Sequence, residues 1–391
     1  MTKVYLKIGE QKRIIRGHRW IYSNEIEKIE GEYKPGDIVD VYDFKNRFIG
    51  RGYINPKSKI TVRLFTYRQE EINREFFKRK IEEAWQYRQK IMDTNCCRVI
   101  FGEGDFLPGL IVDKFGDYLV IQTLALGIDI HKKTIVELLD EIISPKGIYE
   151  RNDVQIRELE GLKEQKGYLK GNFPTKVQII ENGIKMWVDL ENGQKTGYFL
   201  DQKENRLAIA PFVKDGEVLD CFSHTGSFTL HACQFGAKHV TAVDISEHAI
   251  ETIKENVLLN GFENKVDYRL GNAFDILREL QREGKKFDVT ILDPPAFAKS
   301  KKALKGAIRG YKDINLRGMK ITKNGGFLVT ASCSHYMSPE LFMEVIKDAA
   351  QDADKILRQV EFRTQSKDHP IVLNADESLY LKFGIFQVLD R

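Results

Sequence analysis

Two residues in the second half of the chain combine a reactive side chain with a position suited to chemistry. Cys333 stands in a Ser-Cys-Ser-His segment after the apolar run 326–331, and Asp293 directly follows the apolar run 287–292. The carboxyl ends of parallel strands meet at one edge of a sheet, so we expect both side chains to face one site. A thiolate there can form a covalent bond, and a carboxyl group can hold the reacting molecule as its charge shifts. Cys333 and Asp293 are the predicted catalytic residues.

A ligand site is predicted one strand away. The apolar run 218–220 leads into a turn at Gly226 and an amphipathic segment to about 235, which indicates a strand, a turn and a helix. In an open α/β sheet, such a turn faces a ligand. The next apolar run, 239–243, ends in Asp244, where a ribose-binding carboxylate is expected. One glycine in place of three specifies no pyrophosphate cradle, so NAD and FAD are disfavoured and a nucleoside without phosphates is favoured.

The order of these features resembles class I S-adenosylmethionine (SAM) methyltransferases. The features are the Asp220 turn, Asp244, Asn272-Ala-Phe and Asp293-Pro-Pro, which in that family borders the methyl-accepting base. The resemblance implies an α/β Rossmann-like domain with a seven-stranded mixed sheet, which we expect to end in a strand at 379–386, and SAM as the cofactor. The cofactor-binding residues implied in this part of the chain are Asp220, Phe222, Ser223, Thr225, Gly226, Asp244, Ile245, Asn272, Ala273 and Asp293.

Length and composition exclude several classes of protein. A chain of 391 residues predicts two or three domains. It has no apolar run long enough to span a membrane, and its first residues lack the apolar core of a signal peptide, so a cytoplasmic location is expected. The five cysteines form no CxxC pair and no set spaced with histidines. We therefore expect neither a disulfide framework nor a bound metal.

The first 70 residues carry most of the positive charge. They hold 15 Lys/Arg against 9 Asp/Glu, compared with 61 against 57 in the whole chain. Short β-patterned runs at 37–42 and 59–64, bounded by turn signals, predict a small β-barrel. With Arg-Gly-His-Arg-Trp-Ile-Tyr before Lys-Pro-Gly, this segment resembles a PUA domain, an RNA-binding module. Trp20 and Tyr22 are suited to stacking on bases, and the alternative is that both are core residues.

The middle of the chain reads as connecting structure. Residues 71–93 have the spacing of one amphipathic helix, and 98–151 read as strand, turn, strand, helix and strand, with the helix at 129–143. The charged, glycine-punctuated segment 154–173 is interpreted as a linker or surface arm. An Asn-Gly pair centres a hairpin at 176–188. The predicted organisation is a PUA-like β-barrel, a helix with a small α+β insert domain, and the methyltransferase domain, at 1–70, 71–172 and 173–391.

A further stretch narrows the resemblance. Lys-Thr-Gly at 195–197 is followed by Asp-Gln and then Asn-Arg, in a segment whose second half opens a helix. Together with the PUA-like start, it resembles the cytosine-C5 methyltransferases of large-subunit (23S) ribosomal RNA that carry a PUA domain, over essentially the whole chain. By this resemblance Lys195, Gln202 and Arg206 belong to the cofactor pocket. Many relatives have an acidic residue in place of Asn272, whose side-chain oxygen can still accept a hydrogen bond from adenine.

The resemblance implies a covalent mechanism. The Cys333 thiolate adds to C6 of the base, C5 receives the methyl group, and Asp293 supports N3. His335 has two interpretations, one in which it orients the base or lowers the thiol pKa and a preferred one in which it caps the next helix. The basic run 299–312 has six basic residues and no acidic one, and its position beside the site favours RNA phosphate contact over a solvated loop. The group that removes the C5 proton is not identified.

Three alternatives stay open. A uridine-C5 methyltransferase shares the thiol chemistry, so the cysteine does not distinguish the two bases. An amino-methyltransferase also uses Asp/Asn-Pro-Pro but places an aromatic residue directly afterwards, where this chain has Ala296 before Phe297. A non-catalytic RNA-binding factor for ribosome assembly would have no affinity for SAM. The oligomeric state, including a homodimer, is not decided by the sequence.

Overall fold

The computed structural model describes residues 1–298, 300–373 and 375–391 and divides into two compact units. The first unit comprises Met1–Val177, Asp189–Leu200 and Lys367–Ser378, and the second comprises Gln178–Val188, Asp201–Ser366 and Leu379–Arg391. Each unit is therefore assembled from separate stretches of chain. The domain limits near residues 70 and 172 stay predictions.

The N-terminal part of the first unit is a six-stranded mixed sheet. Its strands and one short helix are β1 Thr2–Leu6, α1 Gln11–Ile15, β2 Trp20–Tyr22, β3 Ile26–Glu30, β4 Ile38–Tyr42, β5 Phe48–Ile54 and β6 Ile60–Thr66. The strand order is β2-β6-β5-β4-β1-β3, and β1 runs parallel to β4. The β-patterned runs predicted at 37–42 and 59–64 are confirmed as β4 and β6. Val4, Val39 and Leu64 lie in the apolar core of this sheet.

The two aromatic side chains singled out in this sheet have partners within the first unit. Trp20 is half-buried, and its indole N–H donates a hydrogen bond of 2.8 Å to Glu103. The Arg13 guanidinium lies 5.2 Å from the ring centre of Tyr22, which is also half-buried. Both rings thus contribute to the fold and keep an exposed fraction.

Three α-helices and a five-stranded sheet make up most of the rest of the first unit. Their bounds are α2 Arg74–Ile91, β7 Cys96–Phe101, β8 Leu110–Phe115, β9 Tyr118–Thr123, α3 Leu126–Ile130, α4 Lys132–Ile143, β10 Gly147–Asn152 and β11 Gln165–Lys170. The sheet order is β11-β10-β9-β8-β7. One strand was predicted between the turn and the helix, and this was wrong, because two strands, β8 and β9, form a hairpin there. The predicted single helix is two helices separated at His131.

The segment 154–173 is not a free linker. It contains a short 3-10 helix, Gln155–Glu160, and then β11, which pairs antiparallel with β10. An edge strand has a partner on one side only and tolerates charged, exposed side chains. The charge and glycine content that suggested a linker therefore belong to the edge of a sheet.

The short stretch Lys367–Ser378 returns late in the chain to the first unit. Its Asp368 is fully buried. The Asp368 carbonyl oxygen accepts a hydrogen bond of 2.6 Å from Arg88, and its carboxylate accepts one of 2.8 Å from the Arg98 amide. Arg88 is itself fully buried and also pairs with Asp105. This stretch therefore completes a buried polar network of the first unit.

A β-hairpin precedes the main sheet of the second unit. Strands β12 Lys176–Glu181 and β13 Ile184–Asp189 flank Asn182 and Gly183, whose φ angles are 52° and 84°. Two consecutive left-handed residues are the geometry that matches a two-residue turn to strand twist. The predicted hairpin is confirmed.

The main sheet of the second unit has seven strands in the order β16-β15-β14-β17-β18-β20-β19. All pairings are parallel except those of β20, which is antiparallel to both neighbours. The strands are β14 Glu217–Cys221, β15 His239–Asp244, β16 Val266–Leu270, β17 Phe287–Leu292, β18 Thr322–Ser332, β19 Lys355–Arg363 and β20 Lys382–Asp390. The helices of this unit are α5 Lys203–Ala208, α6 Ala210–Val213, α7 Ser227–Gln234, α8 Glu247–Leu259, α9 Ala273–Arg282, α10 Leu304–Ile321 and α11 Pro339–Ala353.

The predicted strands of this sheet are confirmed, with two shifts in position. The strand β18 begins at Thr322, four residues before the predicted start, and its pairing with β17 shifts register where Gly325 has a φ of 81°. The last strand is Lys382–Asp390, later than the predicted 379–386. None of the helices in the described ranges is long and apolar enough to cross a membrane.

Candidate active site

The loop after β14 is built from strained backbone. Phe222, His224 and Gly226 have φ angles of 65°, 51° and 81°. Left-handed conformations are uncommon for residues with a side chain, and they cluster where a loop serves a ligand. Gly226 is required for a second reason, since a Cβ there would lie 3.0 Å from Ile253.

Ser223 fixes this loop against two strands. Its hydroxyl donates a hydrogen bond of 2.7 Å to the Asp220 carbonyl and accepts one of 3.0 Å from the Val243 amide. The loop is therefore held at the carboxyl ends of β14 and β15, which is the edge where ligands bind in open α/β sheets.

Asp220 carries a buried oxygen that no protein group satisfies. One carboxylate oxygen accepts hydrogen bonds from the Thr229 amide at 3.0 Å and the Thr229 hydroxyl at 2.7 Å. The other oxygen, Oδ1, is buried without a hydrogen-bond partner, as is the hydroxyl of Thr225 in the same loop. Burial raises the pKa of Asp220 to about 7, and the charge of Asp293 acts in the same direction. Buried polar atoms are normally satisfied, so this pair of atoms fits a ligand with hydrogen-bond donors.

Asp244 and Asn272 end neighbouring strands and hold backbone amides. Asp244 accepts hydrogen bonds from the His224 amide at 2.9 Å and the Ser246 amide at 3.0 Å. Each carboxylate oxygen has a second lone pair, so ribose hydroxyls can still bind. Asn272 caps α9 by accepting a hydrogen bond of 2.9 Å from the Phe274 amide, which occupies one lone pair of the oxygen predicted to face adenine.

Ile245 and Ala273, which follow Asp244 and Asn272 in the sequence, differ in exposure. Ile245 is 69% exposed, so an apolar side chain next to Asp244 is open to contact with a ligand. Ala273 is buried at the start of α9. The roles assigned to both residues stay predictions.

Gln202 is hydrogen-bonded to the predicted catalytic carboxylate. Its side-chain amide donates a hydrogen bond of 2.9 Å to Asp293, and its own oxygen accepts one of 2.7 Å from Asn205. Gln202 is almost fully buried. The structure therefore gives Gln202 a definite partner, Asp293, and the carboxylate is held in one orientation.

Cys333 lies beside the Asp-Pro-Pro segment. Its Sγ is 4.0 Å from the Pro294 carbonyl oxygen, which directly follows Asp293 in sequence. The structure thus brings Cys333, after β18, into contact with the residue that follows Asp293, after β17, and the catalytic roles of Cys333 and Asp293 stay predictions. The side chain of Cys333 is partly exposed, which a nucleophile needs.

The other four cysteines are buried and suited only to packing. Cys96 and Cys97 lie in β7, Cys221 ends β14, and Cys233 lies in α7. Burial raises the pKa of Cys221 well above its ordinary value and that of Cys233 to about 12. Cys221 and Cys233 therefore stay protonated and unreactive near neutral pH.

An aromatic cluster flanks the site and was not predicted. Phe297 lies with its ring centre 6.4 Å from Phe222, 5.8 Å from Phe274 and 4.7 Å from Tyr311. The Tyr311 hydroxyl is 3.0 Å from the Ser334 hydroxyl. The sequence signal for this cluster is the Phe that follows Asp-Pro-Pro-Ala. At the level of sequence, that Phe is used only to distinguish an amino-methyltransferase. The cluster gives the site an apolar wall.

His335, Arg206 and Lys195 are three further residues that the sequence singles out. His335 does not cap the next helix, because Ser338 is the N-cap of α11 and its side chain accepts a hydrogen bond from the Leu341 amide. Arg206 forms a buried ion pair of 2.6 Å with Glu181, which gives it a structural role. Lys195 belongs to the first unit, where its Nζ lies 4.6 Å from the ring centre of Phe199, and its place in the cofactor pocket stays a prediction.

The basic run is partly helical. Lys299 lies outside the described residues, a short 3-10 helix spans Lys301–Ala303, and the rest of the run forms the start of α10. No three His, Cys, Asp or Glu side chains within residues 1–298, 300–373 and 375–391 converge on a possible metal position.

These features define a class I SAM-dependent methyltransferase. A seven-stranded sheet with an antiparallel strand inserted near one edge carries a glycine-containing loop, Asp244 and Asp293 at the carboxyl ends of its central strands. The unsatisfied oxygen of Asp220 and hydroxyl of Thr225 fit the donors of the SAM amino acid portion.

Comparison with known proteins agrees with this class. Residues 163–383 match the family model described as S-adenosylmethionine-dependent methyltransferase, and residues 4–67 match a PUA-like domain. The chain is 43% identical over 393 residues to the Ribosomal RNA large subunit methyltransferase I of Vibrio cholerae, covering 99% of each chain. It is 41% identical over 394 residues to the protein of the same name from Alteromonas mediterranea, covering 100% of this chain and 99% of the other.

The chain belongs to the S-adenosylmethionine-dependent methyltransferase family and, within it, to the group that these curated relatives form. Two solved structures share the whole fold. One is a Streptococcus mutans protein assigned as a SAM-dependent methyltransferase, with a TM-score of 0.84, 21% identity and coverage of 99% of this chain and 100% of the other. The second, a methyltransferase complexed with S-adenosylhomocysteine, has a TM-score of 0.86 at the same identity and coverage. At this identity the two structures establish the fold alone.

Proposed function

We propose that the protein methylates C5 of a cytosine in large-subunit (23S) ribosomal RNA, with Cys333 as a transient covalent nucleophile. The observation that carries the proposal is the position of the Cys333 sulfur 4.0 Å from the Pro294 carbonyl, directly beside Asp293. The names of the curated relatives supply the class of RNA. On this proposal the enzyme acts in the cytoplasm, where it meets ribosomal RNA.

Separate groups of residues are assigned to the separate parts of SAM. Asp220, Ser223, Thr225 and the Gly226 turn hold the amino acid end of SAM. Phe222 adds an apolar contact beside them. On the nucleoside side, Asp244 holds the ribose, and Ile245, Asn272 and Ala273 border the adenine. Lys195 and Gln202 are assigned to cofactor binding by their place in the Lys-Thr-Gly and Asp-Gln stretch. These assignments rest on the strand-end positions and on the unsatisfied buried atoms of the loop.

The chemistry explains why a thiol and a carboxyl group are both needed. C5 of cytosine is a poor nucleophile, and a bond between the Cys333 sulfur and C6 turns the ring into an enamine with electron density at C5. Bound SAM supplies the methyl group that C5 receives. Asp293, oriented by Gln202, pairs with N3 and supports the charge that develops there. Loss of the C5 proton and cleavage of the sulfur–C6 bond restore the aromatic ring and the free thiolate.

The RNA must present an unpaired or flipped base to reach this site. The PUA-like sheet, with its basic excess, and the basic run that opens α10 are the two surfaces that we assign to RNA phosphates. The half-buried rings of Trp20 and Tyr22 keep an exposed fraction for stacking.

The direct test is methylation of unmodified ribosomal RNA with methyl-labelled SAM, followed by digestion to nucleosides. We expect label in 5-methylcytidine. Label in 5-methyluridine would support the uridine alternative, and label in an N-methylated base would remove Cys333 from the mechanism. No label with any RNA, together with no SAM binding, would favour the non-catalytic assembly factor.

A second test addresses the covalent step. An RNA fragment with 5-fluorocytidine at the methylated position has no C5 proton to lose, so the protein should remain attached to it through Cys333. Cys333→Ala should form no complex and transfer no methyl group while still binding SAM. Cys233→Ala, which removes a buried thiol of the same unit, is the matched control and should retain both activities. Full methylation by Cys333→Ala would refute the covalent mechanism.

A further inference from the structure

Lys382 is a buried lysine beside the proposed nucleophile. It lies on β20 opposite Ser332 of β18 and is 1% exposed. Its ammonium group donates hydrogen bonds to the carbonyl oxygens of Ser334 at 2.7 Å and Tyr380 at 2.8 Å. Ser334 directly follows Cys333, so the ammonium group contacts the peptide that carries the thiol. An ammonium has three hydrogens, and two carbonyls leave one for a further acceptor.

The environment of Lys382 lacks the usual compensation for a buried charge. Within the described part of the second unit, no carboxylate forms an ion pair with it. Burial lowers the pKa of Lys382 to about 8, and the charge of Cys333 acts in the opposite direction. A buried cation without an anion is costly, so this position suits a neighbour that becomes an anion during the reaction.

We propose that Lys382 is a positioning residue whose ammonium group holds Cys333 as the thiolate that attacks the base. This inference rests on the proposed function, which assigns Cys333 as the nucleophile. When the amine is neutral, it can also take the thiol proton: the S–H bond breaks, an N–H bond forms, and sulfur keeps the electron pair. The same ammonium group then stabilises the thiolate that leaves C6 at the end of the reaction.

Other titratable groups also lie near Cys333. Tyr311 on α10 interacts with it, and burial raises the Tyr311 pKa, so this hydroxyl is neutral near neutral pH. A negative charge on Asp293 would disfavour a thiolate at Cys333. The Asp293 carboxylate, however, accepts a hydrogen bond from Gln202. His335 is exposed two residues further along. Among these groups, Lys382 is the buried cation.

The test is the pH dependence of Cys333 alkylation by iodoacetamide, without SAM or RNA, read by mass spectrometry of the Cys333 peptide. Only the thiolate reacts, so the rate reports its population. In the wild type we expect a midpoint below the ordinary cysteine value of about 8.5. Lys382→Met should raise the midpoint by about one unit or more, which slows alkylation at pH 7 about tenfold and leaves the rate at high pH unchanged. Lys382→Arg should retain most of the wild-type profile.

A matched control lies at the other end of β18. Lys323 is 43% exposed in its side chain and pairs with Asp288, and Lys323→Met should leave the Cys333 profile unchanged. An unaltered midpoint in folded Lys382→Met would overturn the proposal. Equal slowing at every pH would also overturn it, because that result indicates lost access and not a lost charge.

The role of Lys382 can be tested even without a folded Lys382→Met variant, and its test can be separated from that of the proposed function. If Lys382→Met does not fold, the test is the ultraviolet titration of the thiolate in the wild type, corrected by subtracting the titration curve of Cys333→Ala. A midpoint at or above the ordinary cysteine pKa refutes the role of Lys382. Because neither readout needs RNA, the outcome is separate from the proposed function. Formation of 5-methylcytidine with an ordinary midpoint refutes the lysine inference only, whereas a low midpoint without 5-methylcytidine supports the lysine inference and refutes the proposed function.

Discussion

Asp220→Asn removes one buried charge and leaves the shape of the side chain unchanged. In the wild type, burial raises the pKa of Asp220 to about 7, while an Asp in an unfolded chain titrates near 3.9. Since the native pKa is the higher one, the contribution of this group to stability is full below about pH 4 and is lost as the pH rises through about 7. Between pH 5 and pH 7 the wild type should lose about 2 kcal/mol of unfolding free energy from this group.

The variant has no such titration. Its amide nitrogen replaces the oxygen that has no protein partner, which adds a cost of about 1–3 kcal/mol that does not depend on pH. Both proteins should be unfolded with urea, without SAM, at pH 5, 6, 7 and 8. Between pH 5 and pH 7 the unfolding free energy of the variant relative to the wild type should rise by about 2 kcal/mol. Asp348→Asn, at an exposed carboxylate on α11, is the control and should show no such trend.

SAM binding supplies the second readout. The ionised carboxylate attracts the SAM ammonium group, so calorimetry should show wild-type affinity falling below about pH 7 and the variant binding about tenfold more weakly with little pH dependence. A stability difference that stays constant from pH 5 to pH 8 would mean that Asp220 does not titrate in this range. Equal SAM affinity of the two proteins would refute its place in the cofactor site.

Two further substitutions test the same edge of the sheet. Asp244→Ala removes the acceptor of the His224 amide and of the proposed ribose contact, and it should weaken SAM binding about tenfold by calorimetry; unchanged affinity would mean that the ribose assignment is wrong. Gly226→Ala should cost about 1–2 kcal/mol in urea unfolding from its left-handed backbone, plus the contact with Ile253, and should weaken SAM binding. Gly284→Ala, at a φ of 68° with nothing within 4 Å, carries the backbone strain alone and should bind SAM normally. Equal losses in both glycine variants would show that the contact with Ile253 does not matter.

The sequence predicted the central strands of the second unit because each is a continuous apolar run that ends in a carboxylate or a cysteine. Asp220, Asp244 and Asp293 lie where parallel strands end, and this position follows from strand direction alone. The convergence of Cys333 and Asp293 followed from the same rule. Prediction succeeded wherever local pattern and sheet geometry lead to the same edge.

Prediction failed where the burial or the secondary structure of a residue depends on partners that are distant in the sequence. Lys382 reads as an ordinary lysine in a β-strand, and only its pairing opposite Ser332 buries it. The charged segment that became β11 could not be distinguished from a linker without its partner β10.

One failure was avoidable. Ser338 followed by Pro339 is a typical helix start, with a capping hydroxyl and a proline in the first turn, and this signal was stronger than that of His335.

The return of Lys367–Ser378 to the first unit has a consequence for synthesis. The ribosome makes the N-terminal strands first, yet Asp368, which accepts hydrogen bonds from Arg88 and Arg98, is translated 270 residues after Arg98. Domains generally fold in order as they emerge, at about 5–20 residues per second. The first unit therefore stays incomplete until this stretch has been made, and a nascent chain arrested before residue 367 should be more susceptible to proteolysis in its first unit than the released protein.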